Sequence, residues 1–485
     1  MLEAAPTDRQ GQDTLMSIVN ETADVAILGG GPGGYVAALR AAQRGAHVVL
    51  VEKAKVGGTC LNVGCIPTKA LATSAELMVR SKRASEFGLS ISQVDVDLPR
   101  LMKYKRSTVD KLVSGVEQLL RARRVKVVRG AGRLSRPDAL LIDSAEGGLQ
   151  ELSAKQIILA PGSVTAEPAI EGRHLPGVLT STEALDIDTI PARLLVIGGG
   201  VIGLEFACIY EAFGSQVTVL EMAASILPEG TEKSLAKRLD VLLRRRGLQI
   251  HTGITVQRIE RVEETLRVFT TGGDREAVFD GDRVLLATGR WPNTQGMGLT
   301  EAGLRMNGRA IAVDDRLATN LPNVWAIGDA VGGWMLAHKA MVEGRVAAEN
   351  VTGGQRRTDL RAVPNVIFTM PEIASVGLTE AQARSAGAEV KVSQFVFSAN
   401  PKARILAETD GLVRLVCEAG SGRVLGVHLL GPHATDLIAE GALAVQAGLT
   451  ADDLAWTTHA HPTLPEAMLE AALGFRDAAI HTHSR

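Results

Sequence analysis

Apolar and polar positions along this chain fall into blocks whose period changes. Residues 24 to 28 form a short, nearly unbroken apolar run that ends in Gly29-Gly-Gly-Pro-Gly-Gly34. An alanine-rich stretch with helical spacing follows, and His47-Val-Val-Leu-Val-Glu52 is a second apolar run closed by a carboxylate. That order predicts a buried strand, a glycine turn, a helix and a second buried strand. The same order returns at residues 193 to 222, as Leu194-Leu-Val-Ile197, a glycine turn at Gly198, Gly200 and Gly203, and Val217-Thr-Val-Leu-Glu221. Gly29 and Gly198, Gly45 and Gly214, and Glu52 and Glu221 are separated by one constant offset of 169 residues. Two more apolar runs end in small residues, at Ile157 to Ser163 and at Val284 to Arg290. Residues 100 to 124 have the charged, amphipathic spacing of a structural helix. Val324-Trp-Ala-Ile-Gly-Asp329 reads as a strand ending in a carboxylate, and Met335-Leu-Ala-His338 as the start of the next helix. Beyond about residue 360 the pattern becomes valine-rich and alternating, at Val363 to Phe368 and Gly411 to Glu418, with no further glycine-rich loop.

This patterning predicts an α/β protein with two doubly wound, Rossmann-like units and a strand-rich α+β third domain. A length of 485 residues exceeds one hydrophobic core and fits about three domains. The 51 glycines suit many tight strand-to-helix turns. With 52 basic against 54 acidic residues and no long basic block, nothing points to a nucleic-acid or anionic-membrane surface. The longest apolar stretch, Leu194 to Leu204, is broken by three glycines and falls short of the ~18 residues of a membrane span. The first 22 residues carry Glu3, Asp8, Asp13 and Glu21 and no apolar core, unlike a signal or transit peptide. A cytoplasmic protein with a flexible tail over residues 1–22 is expected.

The paired glycine turns carry the first chemistry. Glycines at these positions let backbone approach a pyrophosphate at a helix N-terminus, where unpaired N–H groups and the helix dipole favour an anion. The carboxylates of Glu52 and Glu221, at the ends of the second strands, are placed to accept ribose hydroxyls. Glu221 pairs with a 2′-hydroxyl and repels a 2′-phosphate, and the following Met-Ala-Ala-Ser offers no arginine, so NAD is expected over NADP.

The second chemistry lies in Gly57-Gly-Thr-Cys-Leu-Asn-Val-Gly-Cys-Ile-Pro-Thr-Lys69, which holds two of the four cysteines. A regular helix separates Cα atoms five residues apart by about 8–9 Å, beyond the ~7 Å a disulfide tolerates. If Cys60 and Cys65 bond, the backbone between them bends, and Gly64 supplies the freedom while Pro67 suits the first turn of a following helix. Lys69, four residues after Cys65, shares its helix face and favours its thiolate. The pair by itself is open to a redox thiol pair, a structural disulfide or half a zinc site. Near the C-terminus, His459-Ala-His461-Pro-Thr-Leu-Pro-Glu466 precedes an apolar helical run. It reads either as an imidazole with a carboxylate partner or as a capping box, Thr463-x-x-Glu466.

The stretch from Gly57 to Lys69 resembles the active-site signature of the FAD-dependent pyridine nucleotide-disulfide oxidoreductases. Its Ile-Pro-Thr-Lys ending is closer to the dihydrolipoamide dehydrogenases than to the glutathione reductases. His461-Pro-Thr-Leu-x-Glu466 is similar to the base motif of the same enzymes. Pro161, where the family usually has Thr, and Pro465, where it usually has Ser, depart from the pattern.

The resemblance implies an FAD domain over 23–165, an NAD domain over 166–289, a central segment over 290–359 that completes the FAD domain, and a homodimer interface domain over 360–485. It implies oxidation of dihydrolipoamide by NAD⁺, with Cys60 as the interchange sulfur, Cys65 against the flavin, His461 as base oriented by Glu466, and Lys69 paired with Glu205. It places FAD on Gly29, Gly31, Gly34, Glu52, Lys53, Gly58, Thr59, Lys69, Gly132, Gly162, Ser163, Asp329, Met335, Leu336, Ala337 and His338. NAD falls to Gly198, Gly200, Val201, Ile202, Gly203, Glu205, Glu221, Val256 and Gly289. Val201 stands where glutathione reductases carry a tyrosine. No metal is implied. The expected partners are a second copy of the chain and the lipoyl domains of 2-oxo acid dehydrogenase or glycine cleavage complexes. Reduction of another disulfide or an electrophile, and a non-catalytic docking role, are the alternatives.

Overall fold

The computed structural model describes residues 19–227, 230–272 and 275–481. Of the tail expected over residues 1–22, residues 1–18 lie outside them. Chain order in the first unit is β1 (Val19–Leu28), α1 (Pro32–Gln43), β2 (Val48–Glu52), α2 (Gly58–Val63), α3 (Cys65–Lys82), α4 (Leu98–Ala122), β3 (Lys126–Arg136), β4 (Ala139–Ser144) and β5 (Leu149–Leu159). Strands β3, β2, β1 and β5 lie side by side and parallel, and β4 runs antiparallel between the outer parts of β3 and β5. The chain leaves β1 toward β2 on one side while β5 lies on the other. The carboxyl ends of β1 and β5 therefore flank a crevice of the kind that holds ligands in doubly wound sheets.

Strand β1 begins earlier than its apolar pattern. Residues 19–22, expected in the tail, pair with residues 150–153 of β5, and Glu21 forms an ion pair of 2.7 Å with Lys126. Backbone pairing with β5 fixes this segment, and its polar sequence carries no apolar periodicity to announce it. α4 is the amphipathic helix expected near residues 100 to 124. It buries Leu101, Met102, Val109, Val113, Val116 and Leu120, and Asp97 caps its start by accepting the Arg100 N–H at 3.1 Å.

The second unit repeats the first. Its five strands are all parallel, in the order Gln249–Thr252, Gln216–Glu221, Arg193–Ile197, Arg283–Leu286 and Val178–Leu179. The helices α5 (Val201–Ala212) and α6 (Lys233–Arg245) cover it, with a three-stranded antiparallel ribbon from Thr255 to Gly281. The chain then returns: Arg290–Pro292 pairs antiparallel with Ser163–Thr165, and Val324–Ala326 adds a parallel strand beside β5. Helix α7 (Ala337–Val351) follows and lies against α1 so closely that a Cβ on Gly344 would sit 2.4 Å from the Gly33 carbonyl oxygen.

The third unit is a five-stranded antiparallel sheet, Asn365–Ile367, Glu372–Gly377, Val424–Gly431, Leu412–Glu418 and Val390–Val396 in spatial order. Helices Ala434–Ala447 and Glu466–Gly474 pack on it around a core that includes Phe395, Phe397, Leu415, Val427 and Phe475.

Candidate active site

Each doubly wound unit builds the same cradle. A Cβ on Gly34 would lie 1.8 Å from the Gly29 oxygen, and one on Gly203 2.0 Å from the Gly198 oxygen, so only glycine allows either turn to close. Gly31 and Gly200 are the N-caps of α1 and α5 and provide no side-chain cap, and neither helix has an acidic residue in its first turn. A Cβ on Gly200 would meet nothing within 4 Å, and one on Gly31 only the Cα of Gly58 at 4.0 Å. Space is thus open beside both glycine N-caps, and an uncapped helix N-terminus with room beside it suits a pyrophosphate. Glu52 accepts the Gly30 and Ala54 N–H groups, both at 2.7 Å, and Glu221 accepts those of Gly199 and Ala223, both at 2.6 Å. Each carboxylate is buried and aimed at its glycine turn, with lone pairs left for ribose hydroxyls.

The cysteines lie beside the first cradle. The Gly57 N–H donates to the Gly30 oxygen at 2.8 Å, which ties the start of α2 to the glycine turn. Cys60 sits within α2 and Cys65 opens α3, and Gly64 between them breaks the helix at φ −144° and ψ −112°. A Cβ there would lie 2.8 Å from the Thr59 oxygen. Both thiols are free, and they are hydrogen-bonded to each other. That bond, and then burial, pushes the Cys60 thiol far above its ordinary range. The same bond, opposed by burial and aided by the Lys69 ammonium, holds the Cys65 thiol down to about 7.

Lys69 Nζ lies 2.8 and 3.0 Å from the two carboxylate oxygens of Glu205 on α5, and 4.6 Å from the centre of the Phe368 ring. The Phe368 N–H also donates to Glu205, at 3.0 Å. All three domains therefore meet at one buried carboxylate.

On the other side of the crevice, Ser163 Oγ donates to Asp329 at 2.5 Å and accepts from Arg290 Nε at 2.8 Å, while Arg290 Nη2 reaches the Ser163 carbonyl at 2.8 Å. Burial pulls the Arg290 guanidinium below its ordinary range, and the charges of Asp329 and Cys65 oppose that shift. The sequence reading passed over Arg290 and Phe368. An arginine directly after Gly289, at the end of a buried strand, was the available signal for the first.

Met335 and Leu336 precede α7, and Leu336 is its uncapped N-cap; His338, in the first turn, bonds through Nε2 to the Pro364 oxygen at 2.7 Å, toward the third domain. Thr59 and Lys53 are exposed. Gly162 and Gly289 have φ of +74° and +114° at the two crossings between domains. Gly132 has a packing reason, since a Cβ there would lie 2.5 Å from Leu28 Cδ1. Val256 packs half-buried against the core of the second domain, as Val201 and Ile202 do on α5.

His461 lies in the third domain and is exposed, with Nδ1 2.8 Å from Glu466 Oε1. Glu466 Oε2 accepts the Thr463 N–H at 2.8 Å. Burial would raise the Glu466 carboxyl, but this N–H and the bond and charge of His461 hold it below its ordinary value. The capping box is only half formed: the helix starts at Glu466 with Pro465 as an N-cap that has no side-chain bond. Among the described residues no hydrogen bond or ion pair joins His461 to either cysteine of its own chain.

Residues 23–344 match the pyridine nucleotide-disulphide oxidoreductase family, and residues 363–472 match its dimerisation domain. The chain belongs to this family. It is 43% identical over 472 residues to the dihydrolipoyl dehydrogenase of Thermus scotoductus, which covers 96% of this chain and 100% of that one. It is 41% identical over 448 residues to that of Geobacillus stearothermophilus, at 92% and 94% coverage. Among solved structures it is similar to RclA of Escherichia coli, a HOCl-induced flavoprotein disulfide reductase, with a TM-score of 0.83, 31% identity, and 93% of this chain and 99% of that chain covered. Two dinucleotide-binding units and a dimerisation domain are the family's architecture, and the match to the dimerisation domain supports a homodimer. Among the described residues no helix is long and apolar enough to cross a membrane, and no group of three or more His, Cys, Asp or Glu side chains is arranged to hold a metal.

Proposed function

We propose that the chain oxidises dihydrolipoamide to lipoamide with NAD⁺, as a homodimer whose sites each combine Cys60 and Cys65 of one chain with His461 and Glu466 of the other. The observation that carries this reading is the placement of Cys60 and Cys65 on either side of the bend at Gly64, tied to the first glycine cradle through Gly57, with Lys69 one turn beyond Cys65 and paired to Glu205.

In the oxidised state Cys60 and Cys65 form a disulfide across the bend at Gly64. Glu466 accepts the Nδ1 hydrogen of His461, which leaves Nε2 with its lone pair free to take the proton of a substrate thiol. The substrate thiolate attacks the Cys60 sulfur, a mixed disulfide forms, and Cys65 leaves as a thiolate stabilised by Lys69. His461 releases this first proton to solvent and takes the proton of the second substrate thiol, whose sulfur closes the lipoamide ring and expels Cys60, which takes that second proton from His461. Substrate has lost two electrons and two protons, and the cysteine pair has gained both electrons. FAD, held by the first cradle with Glu52, Ser163 and Asp329, supplies the chemistry that passes these electrons to NAD⁺. Glu221 holds the ribose of NAD in the second cradle and disfavours a 2′-phosphate. Lipoyl domains of 2-oxo acid dehydrogenase or glycine cleavage complexes are the macromolecular partners this reaction implies.

The test is to follow NAD⁺ reduction by the purified flavoprotein with dihydrolipoamide, and NADH oxidation with lipoamide, glutathione disulfide and a quinone in parallel. The account expects dihydrolipoamide and lipoamide to give the highest kcat/KM. Preference for another disulfide or an electrophile would move the chain to a different reductase of the same family.

A further inference from the structure

The turn that presents Asp329, Gly328–Val331, is held at both ends from one helix. The Gly328 N–H donates to Glu343 Oε2 at 2.7 Å, and Lys339 Nζ donates to the Gly332 carbonyl at 3.1 Å. Lys339 and Glu343 are joined to each other at 2.9 Å, with side chains only 5% and 2% exposed. Both lie on α7, one turn apart.

A pair this deeply buried is a poor choice for stability. Removing two charges from water costs more than their attraction commonly returns, and apolar residues of similar size are often as good or better. Burial raises the Glu343 carboxyl, against the lowering effect of Lys339 and the Gly328 N–H. The order also favours another purpose, because Lys before Glu at i,i+4 is the weaker arrangement along a helix. What the pair does accomplish is visible in its bonds. Gly328 and Gly332 have φ of +73° and +76°, so the turn relies on glycine at each end and needs outside partners to stay in one conformation.

The same helix is pressed against the first cradle. Gly344 meets Gly33 of α1, and a Cβ on Gly33 would lie 3.1 Å from the Ala340 oxygen and 3.2 Å from Ile327 Cδ1, the residue before the turn. α7 therefore spans the distance from the pyrophosphate cradle at α1 to the carboxylate of Asp329.

We propose that Lys339 and Glu343 are positioning residues for FAD: the buried pair fixes the Gly328–Val331 turn and so holds Asp329, with its partner Ser163, in register with the glycine cradle. The proposal rests on the reading that Asp329 faces the flavin nucleotide.

FAD release from the purified holoenzyme, followed by the rise in flavin fluorescence after dilution, tests it. Glu343→Gln and Asp329→Asn are each expected to speed release by about tenfold or more, and Glu343→Gln is expected to add little in the Asp329→Asn background. The apolar replacement Lys339→Met with Glu343→Leu guards against a simple folding defect. It is expected to melt near the wild-type temperature yet still release FAD faster, because the turn has lost both its anchors. Multiplying effects in the double variant, or wild-type FAD retention with the apolar pair, would overturn the positioning role while leaving Asp329 as a flavin contact. Wild-type retention in Asp329→Asn would overturn the reading of Asp329 itself, and the proposal with it.

Discussion

Lys69 Nζ is 2.8 Å from Glu205 Oε2, so the helix that begins with the second cysteine is locked to the helix that begins the second glycine turn. This ion pair joins the helix opened by the second cysteine in one domain to the second glycine cradle in another. It fixes a positive charge that adds to the Cys60 bond in lowering Cys65.

That arrangement sets a pH dependence. The Cys60 side chain first, and the Lys69 charge after it, hold the Cys65 thiol down from an ordinary value of 9.0 to about 7 against burial and the Glu205 charge, so the thiolate is populated above about pH 7 and lost below it. By linkage, its contribution to the stability of the reduced fold is complete above the unfolded value and disappears as pH falls through about 7. Lys69→Met is expected to move this titration upward by about one pH unit or more. Thiolate absorbance of the reduced protein against pH measures it. An unchanged titration would mean that Lys69 serves only the contact with Glu205.

Glu221 predicts cofactor choice. The wild-type protein is expected to favour NAD over NADP by at least about tenfold in kcat/KM, because a carboxylate faces a hydroxyl in one and a like charge in the other. Glu221→Ser is expected to narrow that ratio mainly by weakening NAD. Steady-state kinetics with both cofactors decides it.

Much of this site was legible in the chain, and the reason is periodicity. The glycine turns, Glu52 and Glu221 recur in register, and a bond between Cys60 and Cys65 would require a bend followed by a helix, which is what Gly64 and α3 provide. What the sequence withheld depends on tertiary contact. Arg290 gains meaning only when Ser163 and Asp329 are brought to it, and Lys339 and Glu343 look like ordinary exposed charges on a helix until the turn closes over them. Residues 19–22 were assigned to a tail because strand pairing with β5 leaves no mark on a polar segment. Thr463-x-x-Glu466 suggested a full capping box, but the carboxylate divides between the Thr463 N–H and His461, and the helix starts later.

Two glycine substitutions separate close packing from helix propensity. Gly64→Ala puts a Cβ 2.8 Å from the Thr59 oxygen and is expected to destabilise by about 1–3 kcal/mol. Gly115→Ala lies in α4 with nothing within 4 Å and is expected to stabilise by roughly 0.5–1 kcal/mol. Chemical denaturation of the two variants beside wild type measures both signs.

The His461 and Glu466 pair predicts a graded loss. His461→Gln is expected to lower kcat by about 10²–10⁴ with dihydrolipoamide, the range of a lost general base. Glu466→Gln keeps a hydrogen-bonding side chain but loses the charge, so a smaller loss in the same step is expected. Equal kcat in all three proteins would remove proton transfer by His461 from the mechanism.

The most direct test of the shared site uses two inactive proteins. Cys60→Ser and His461→Gln are mixed under conditions that exchange subunits, and NAD⁺ reduction by dihydrolipoamide is followed. If the base of one chain serves the cysteines of the other, each mixed dimer holds one site with both wild-type Cys60 and wild-type His461. Random exchange of equal amounts makes about half of the dimers mixed, so roughly a quarter of wild-type activity is expected to return. No recovery despite demonstrated exchange would contradict the account and place His461 with the cysteines of its own chain.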